Sequence, residues 1–325
     1  MATPSSVFTE LVATTWRNHA SDVKDNVSHN NALYNRLTTK GQTRLEDGGL
    51  TIAQPLDYNM NGTYQRYSGY DVLNIQQSDV ITAVEFQWRQ IALNVVASGL
   101  ELRTNAGSNA IVKLAKARIK NAMRTFKNNF SFDLYGDGTL PNQIGGLQAL
   151  VADAGTGVIG GVDSSAWPFW ANVVQSAAAP IQGGGAVTVS ATTIETSLML
   201  PLWLNQVRGD DKPDLIIMSN DYFSFYEASQ VAIKRYTNDA GNAQGGFTSL
   251  KYKSADVIFD GGSGIPAAHA YFLNTDYIEL VAHRDANLDV QDQMKPYNQD
   301  AAVIPILWMG NMVTSNRRLQ AVMKA

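Results

Sequence analysis

The 325 residues contain no cysteine, which excludes disulfides and thiolate metal sites and leaves the redox compartment unmarked. Charge is also scarce. Charged residues make up 17% of the chain, against about 25% in average globular proteins, and Asn, Gln, Ser and Thr carry the polar load instead. Interface cores are depleted of charge, so this composition fits a chain that buries surface between subunits, as it also fits many monomers. No apolar run approaches the roughly 18 residues that span a bilayer. The first 30 residues carry Glu10, Arg17, Asp22 and Lys24 without the apolar stretch of a secretory signal. These absences predict a soluble protein with no membrane partner. A net charge of −4 argues against a dedicated nucleic-acid binder and says nothing about one local face.

Catalytic and cofactor motifs are absent as well. "AGTGVIGG" (154–161) has Gly155, Gly157 and Gly160 at dinucleotide-fingerprint spacing. That fingerprint needs a strand before the glycines, a helix opening on them and an acidic residue about 20 positions on. Here Pro168 follows, and no Asp or Glu occurs from Ser164 to Ile194. The glycines therefore read as a bend, or as a place of close backbone packing. "DLYGDG" (133–138) resembles the start of a calcium loop, but Tyr135 holds a ligand position and Ile144 stands where a bidentate glutamate belongs. His19, His29, His269 and His283 never approach zinc-ligand spacing. "GGSG" around Ser263 lacks the last glycine of a nucleophile elbow, since Ile265 occupies it. Asp210 and Asp211 sit in a turn before Lys212-Pro213, and there is no Walker loop. The expectation is a protein that is not an enzyme, with no catalytic, cofactor or metal site.

What is present is a succession of architectural parts. Phe8, Leu11, Val12 and Trp16 place an amphipathic helix over 5–18, and a weaker pattern suggests another over 22–37. "TTKGQTRLEDGG" reads as loop. From Leu50 the period becomes two: Leu50, Ile52, Leu56 and Tyr58 alternate with polar residues, as do Val84, Phe86 and Trp88. Between them lies a turn-rich stretch holding Tyr64, Tyr67 and Tyr70. Residues 50–95 thus read as a long antiparallel excursion. An isolated hairpin is at best marginally stable in water, so its aromatic face needs another surface, such as another subunit.

Residues 109–132 give the clearest helix. Ile111, Leu114, Ala115, Ile119, Ala122, Met123, Phe126 and Phe130 share one face, with Gly136 and Gly138 as stop signals. Lys113, Lys116, Lys120, Arg124 and Lys127 form a basic stripe roughly opposite. Residues 192–285 read as mixed helix and strand. A helical stretch holds Leu198, Leu202 and Val207, "DLIIMS" (214–219) is a buried strand, and Asn220-Asp221 are candidate caps of the next helix. "ADVIFDGG" (255–262) and "AYFLNTDYIELVAHR" (270–284) add strands. The last 25 residues are mostly strand, with a break expected near Gly310-Asn311.

The order of these parts resembles the major capsid proteins of tailed bacteriophages, with their Hong Kong 97-type fold. The residues carrying the resemblance are "LYNRLTTKGQTRLEDGG" (33–49), "VEFQWRQIALNVVASGLELRTNAG" (84–107), the basic helix ending in "DLYGDGT" (133–139), "QIGGLQALVADAGTGVIGGVDSSAWPFWANVV" (143–174) and "PDLIIMSNDYFSFYEA" (213–228). The resemblance implies an α+β fold. Its parts would be an N-terminal arm (1–49), an extended loop (50–106), and a peripheral domain with a long spine helix and a glycine-rich linker (107–191). An axial domain (192–286) and a C-terminal return to the peripheral domain (287–325) would follow.

It also implies a function: a virion shell protein, assembled in the bacterial host cytoplasm as homo-pentamers and hexamers that enclose double-stranded DNA. Implied partners are a separate scaffolding protein, a portal and a possible cementing protein. An encapsulin-like compartment shell and a tail-tube protein are the alternatives within this reading. Tyr58, Tyr64, Tyr67 and Tyr70 become candidate intersubunit aromatics of the extended loop. The stripe of Lys113, Lys116, Lys120, Arg124 and Lys127 has three readings: facing packaged DNA, pairing with a neighbour's acids, or facing solvent. Some family members join a loop lysine to a neighbour's asparagine. No lysine occurs between Lys40 and Lys113 here, so this loop supplies no such amine.

Overall fold

The computed structural model describes residues 31–104, 114–230, 249–260 and 264–325. The helix expected over 5–18, the first part of that expected over 22–37, His19, His29, Ile111, Lys113 and Ser263 lie outside them. The first described element is α1 (Ala32–Thr39), capped by Asn31, whose side chain accepts from the Tyr34 N–H. β1 (Thr43–Glu46) follows inside the stretch read as loop. Its four residues form a strand because Leu280–His283, far along the chain, supply the ladder.

β2 (Ile52–Asp57) and β3 (Ile81–Phe86) pair antiparallel in full register from Ile52↔Phe86 to Asp57↔Ile81, which makes the expected excursion. Leu50, Tyr58 and Trp88 fall outside these strands. β4 (Arg89–Ser98) leaves the excursion for a different sheet, and Ser98 then opens α2 (Gly99–Thr104). Ser98 and Glu101 form a reciprocal cap: the Glu101 carboxylate accepts the Ser98 N–H at 2.9 Å, and the Ser98 hydroxyl accepts the Glu101 N–H at 3.2 Å. α3 (Leu114–Tyr135) is the long helix, stopping one residue before Gly136. Phe126, Phe130 and Leu134 recur every fourth residue and are buried, with the Phe130 ring edge-on to Trp308 at 5.0 Å.

A small hairpin, β5 (Val158–Ile159) and β6 (Val162–Asp163), precedes β7 (Val173–Ser176). The next helical stretch begins as a wide π-turn, Ile194–Met199, and continues as α4 (Leu200–Gln206). Pro201 explains the wide turn, since it has no N–H to give the Ser197 carbonyl. That carbonyl is served instead by the Gln182 amide at 2.6 Å and the Gln175 amide at 3.4 Å. β8 (Leu215–Met218) leads into α5 (Asn220–Ser229). Its N-cap is Ser219. Asn220 and Asp221, expected to cap, are the first helical residues, and the Asp221 carboxylate accepts the Ala268 N–H instead. The remaining strands are β9 (Ser249–Tyr252), β10 (Ala255–Phe259), β11 (His269–Leu273), β12 (Ile278–Val290), β13 (Ala301–Thr314) and β14 (Ala321–Lys324).

Two sheets organise this α+β chain: a four-stranded sheet in the order β1-β12-β13-β4 and a six-stranded sheet in the order β7-β14-β11-β8-β10-β9. The six-stranded sheet is buried on both faces, which is why "LIIM" reads as an unbroken apolar run. Leu215, Ile217, Tyr271 and Leu273 face the core shared with α3, whereas Ile216, Met218, Ala270 and Phe272 face the core under α4 and α5. The C-terminal stretch is divided between the sheets, β13 in the smaller one and β14 in the larger. The break expected near Gly310-Asn311 does not occur. β13 runs through both residues, and Gly310 is there because a Cβ would strike the Val281 carbonyl and the Trp308 ring.

Candidate assembly surface

The excursion carries an apolar tip with nothing over it among the described residues. Val72 is 91% exposed, Ile75 92%, Tyr64 82% and Tyr67 66%, and Tyr70 is fully exposed. Soluble monomers seldom present so many large apolar groups together. The tip is nonetheless ordered by its own polar side chains. The Asp71 carboxylate accepts the Ser68 N–H at 2.8 Å, and Asn61 Oδ1 accepts the Thr63 N–H at 2.9 Å. The Gln65 amide donates to the Val72 carbonyl at 3.0 Å and accepts from the Asn74 N–H at 3.1 Å. The structure sets Tyr58 apart from Tyr64, Tyr67 and Tyr70. Tyr58 is half-buried at the excursion's root, edge-on to Trp167 at 5.8 Å and tilted against Phe169 at 5.6 Å. These rings border a cleft of about 310 Å³ with Ile81 and Val162.

The glycine run of 154–161 packs beneath that root. Gly155 and Gly160 have φ of +74° and +60°, and the residues form the β5–β6 hairpin, with no helix opening on them. The Gly160 carbonyl accepts the Glu85 N–H of β3 at 3.0 Å, and a Cβ on Gly160 would come within 2.8 Å of the Val84 Cβ. Close backbone packing is therefore what the glycine serves. Gly160→Ala is expected to destabilise the chain by about 2 kcal/mol or more, from left-handed strain plus that clash. A thermal melt unchanged from wild type would contradict this.

The hairpin is tied to the C-terminal region through Trp170 and Arg317, both fully buried. Trp170 Nε1 donates to the Ile159 carbonyl at 3.0 Å. The Arg317 guanidinium donates to the Leu150 carbonyl at 2.7 Å, and to the Trp170 carbonyl and Asn172 Oδ1 at 2.9 Å each. Burial pushes its pKa down to about 10, which leaves it charged at neutral pH.

Of the basic stripe, Lys120 and Lys127 are exposed and Arg124 is half-buried on α3; Lys116 lies in the helix, and Lys113 is outside the described residues. Arg118, which the stripe omits, pairs with the buried Glu101 at 2.8 Å and joins the helix to the end of β4. That ion pair lowers the pKa of the Glu101 carboxyl.

A second set of contacts holds α1. The Asp260 carboxylate, buried, accepts the Tyr135 hydroxyl at 2.6 Å and the Ala32 N–H at 3.0 Å. Burial first, and the Asp260 charge second, push the Tyr135 phenol well above its ordinary range. Asp214 pairs with Arg36 at 3.1 Å and Lys40 at 3.0 Å, and accepts from the Thr275 N–H and hydroxyl at 2.7 Å each. Burial raises the Asp214 pKa, and the bonds from Thr275 and Lys40 more than offset it, leaving the group below its ordinary value. A depressed folded pKa contributes stability above the unfolded value of about 3.9 and loses it as pH falls through the folded value. Asp214→Asn is accordingly expected to lower stability at neutral pH and to flatten the acid limb of a pH–stability curve. A parallel downward shift at every pH would contradict that linkage. Neither Asp214 nor Arg317 carries a sequence motif; only their partners, distant along the chain, mark them.

No family model and no curated protein matches the chain. Solved structures do. The chain is similar to the capsid asymmetric unit of Cyanophage A-1(L), with a TM-score of 0.63 and 15% identity over 94% of this chain and 95% of that one. The chain has the Hong Kong 97-type capsid fold. The capsid of an empty GTA particle gives a TM-score of 0.56 at 13% identity over 99% of both chains. A satellite phage procapsid that includes a size determination protein gives 0.51 at 10% identity, over 98% of this chain and 97% of that one. Coverage of this extent means that the capsid fold takes in both sheets, the long helix and the excursion together, whereas the low identity leaves the surface chemistry to be read from this chain's own residues.

Proposed function

We propose that the chain is the major capsid protein of a tailed bacteriophage, a structural, non-catalytic subunit. It assembles as pentamers and hexamers into an icosahedral head enclosing double-stranded DNA. The observation that carries the reading is the match of its backbone to a cyanophage capsid subunit over 94% of the chain, and to the capsid of a GTA particle over 99%, joined to an apolar excursion left exposed among the described residues. In this reading residues 1–49 are the arm, 50–106 the extended loop, 107–191 the spine helix and peripheral domain, and 192–286 the axial domain. Residues 287–325 return toward the peripheral domain, and Tyr64, Tyr67 and Tyr70 reach a neighbour. Each contact can be modest, because a subunit in a closed shell touches several neighbours at once.

The virion is the site of action and the host cytoplasm the site of assembly. A separate scaffolding protein, a portal and a cementing protein are the proposed partners; the size determination protein in the satellite phage procapsid is a precedent for a separate assembly factor. Lys120 and Arg124 on the basic helix would meet packaged DNA or a neighbour's acids. Lys120→Glu with Arg124→Glu is expected to cut the yield of filled particles at least tenfold, and normal yields of filled particles would refute a role for the stripe. The function itself is tested by the contents of nuclease-treated particles from infected cells. Protected double-stranded DNA supports a phage head, and a docked protein cargo without DNA would make the chain an encapsulin-like shell.

A further inference from the structure

Asn61-Gly62 is the only Asn-Gly pair in the chain. It lies in the excursion tip, outside any strand, and both residues are exposed among the described residues. The asparagine side chain is held over the backbone that follows it. Its Oδ1 accepts the Thr63 N–H at 2.9 Å and the Thr63 hydroxyl at 2.7 Å, so both lone pairs of that carbonyl are engaged. A carbonyl held by two donors is polarised toward attack at its carbon, as in an oxyanion hole. The nitrogen enclosed by this turn is that of Gly62, which has no side chain to screen it. The Gly62 N–H donates to the half-buried Ser78 hydroxyl at 3.3 Å, an acceptor for the proton this nitrogen must give up.

The same tip contains its own comparison. Asn74 Oδ1 accepts the Gln76 N–H at 3.1 Å in a similar turn, but it has one donor on record where Asn61 has two. The nitrogen that follows Asn74 belongs to Ile75, whose branched side chain crowds it.

We propose that Asn61 is a site of spontaneous deamidation, promoted by Thr63, with water as the only co-reactant. The Gly62 nitrogen bonds to Asn61 Cγ, the Cγ–Nδ2 bond breaks, and Nδ2 leaves as ammonia with the proton from Gly62. The cyclic imide takes up one water and opens to aspartate or isoaspartate, and nothing is oxidised or reduced. Either product adds a negative charge, and the iso form also lengthens the main chain by one methylene. Gly62 bonds Ser78 through its N–H and the Asn74 amide through its carbonyl, so the lengthened chain uncouples the turn from both. The chemistry stands whether or not the chain forms shells. In the shell reading it ages the contact surface.

Peptide mass spectrometry of the full chain, sampled over weeks at neutral pH, reads the conversion, and isoaspartate methyltransferase labelling identifies the iso product. Conversion at Asn61 is expected to run roughly tenfold or more ahead of Asn74. Gly62→Ala is expected to slow it about tenfold, by screening the nitrogen, and an added Cβ has room, with Ser78 Oγ nearest at 3.9 Å. Thr63→Val keeps the backbone donor and the side-chain shape but loses the hydroxyl, and is expected to slow conversion about tenfold. Both changes lie off the core, and melts matching wild type exclude a loss of folding as the cause. Asn61 remaining intact, or converting no faster than Asn74, overturns the proposal. Thr63→Val converting at the wild-type rate also overturns it, because the pair would then react without help from the fold. None of these outcomes depends on particle formation, so the shell reading stands or falls separately.

Discussion

Arg317→Met is expected to lower the stability of the chain by about 3–6 kcal/mol, the largest effect of any single substitution considered. The substitution leaves the Leu150 and Trp170 carbonyls and Asn172 Oδ1 without their donor inside the protein, at about 1–3 kcal/mol for each unsatisfied buried group. Removing a charge from a buried site gives some of this back, which places the expectation in the lower part of the summed range. Arg317→Lys recovers little, because an ammonium on a single stem cannot span oxygens from three separate residues. The effect reaches the assembly surface, since Trp170 and Ile159 hold the hairpin under the excursion. Urea midpoints at neutral pH measure it. A methionine variant with the wild-type midpoint would show that the three acceptors find other donors, and the tie between C-terminus and excursion would fall.

The second large effect concerns assembly and leaves the fold alone. Replacing Tyr64, Tyr67 and Tyr70 together by serine removes rings that touch no core, so the melting temperature should stay within a degree or two of wild type. Aromatic anchors at interfaces commonly contribute about 2 kcal/mol each when truncated. Losing three of them per contact weakens association by about four orders of magnitude, and repetition around a closed shell compounds the loss. Sedimentation is expected to show small species where wild type gives particles. Tyr58→Ser should behave oppositely and lower stability, because that ring packs on Trp167 and Phe169. A triple variant that assembles at wild-type yield would remove the tip from the interface.

How far the sequence anticipates this depends on the range over which each element is determined. The long helix was legible because its own period places Phe126 and Phe130 on one face and Gly136 just past its end. "LIIM" was legible as a strand because burial on both faces leaves an unbroken apolar run. β1 was not, since four residues of alternating exposure become a strand only through β12. Gly310 read as a break when it is a close approach inside a continuous strand. Both Gly160 and Gly310 mark close approaches, the first combined with a left-handed turn and the second inside a continuous strand. For the candidate site, the tyrosine-rich tip stood out by composition, but nothing local distinguished Tyr58 from Tyr64. Nothing local marks Arg317, whose role comes from three oxygens contributed by residues well over a hundred positions away.

Electron microscopy of the purified full chain, co-expressed with its scaffold, tests the central claim most directly. Closed icosahedral shells, or rings of five and six subunits with each excursion lying across a neighbour, are the predicted result. A chain that stays monomeric or dimeric under those conditions, or that stacks into open tubes, would contradict it.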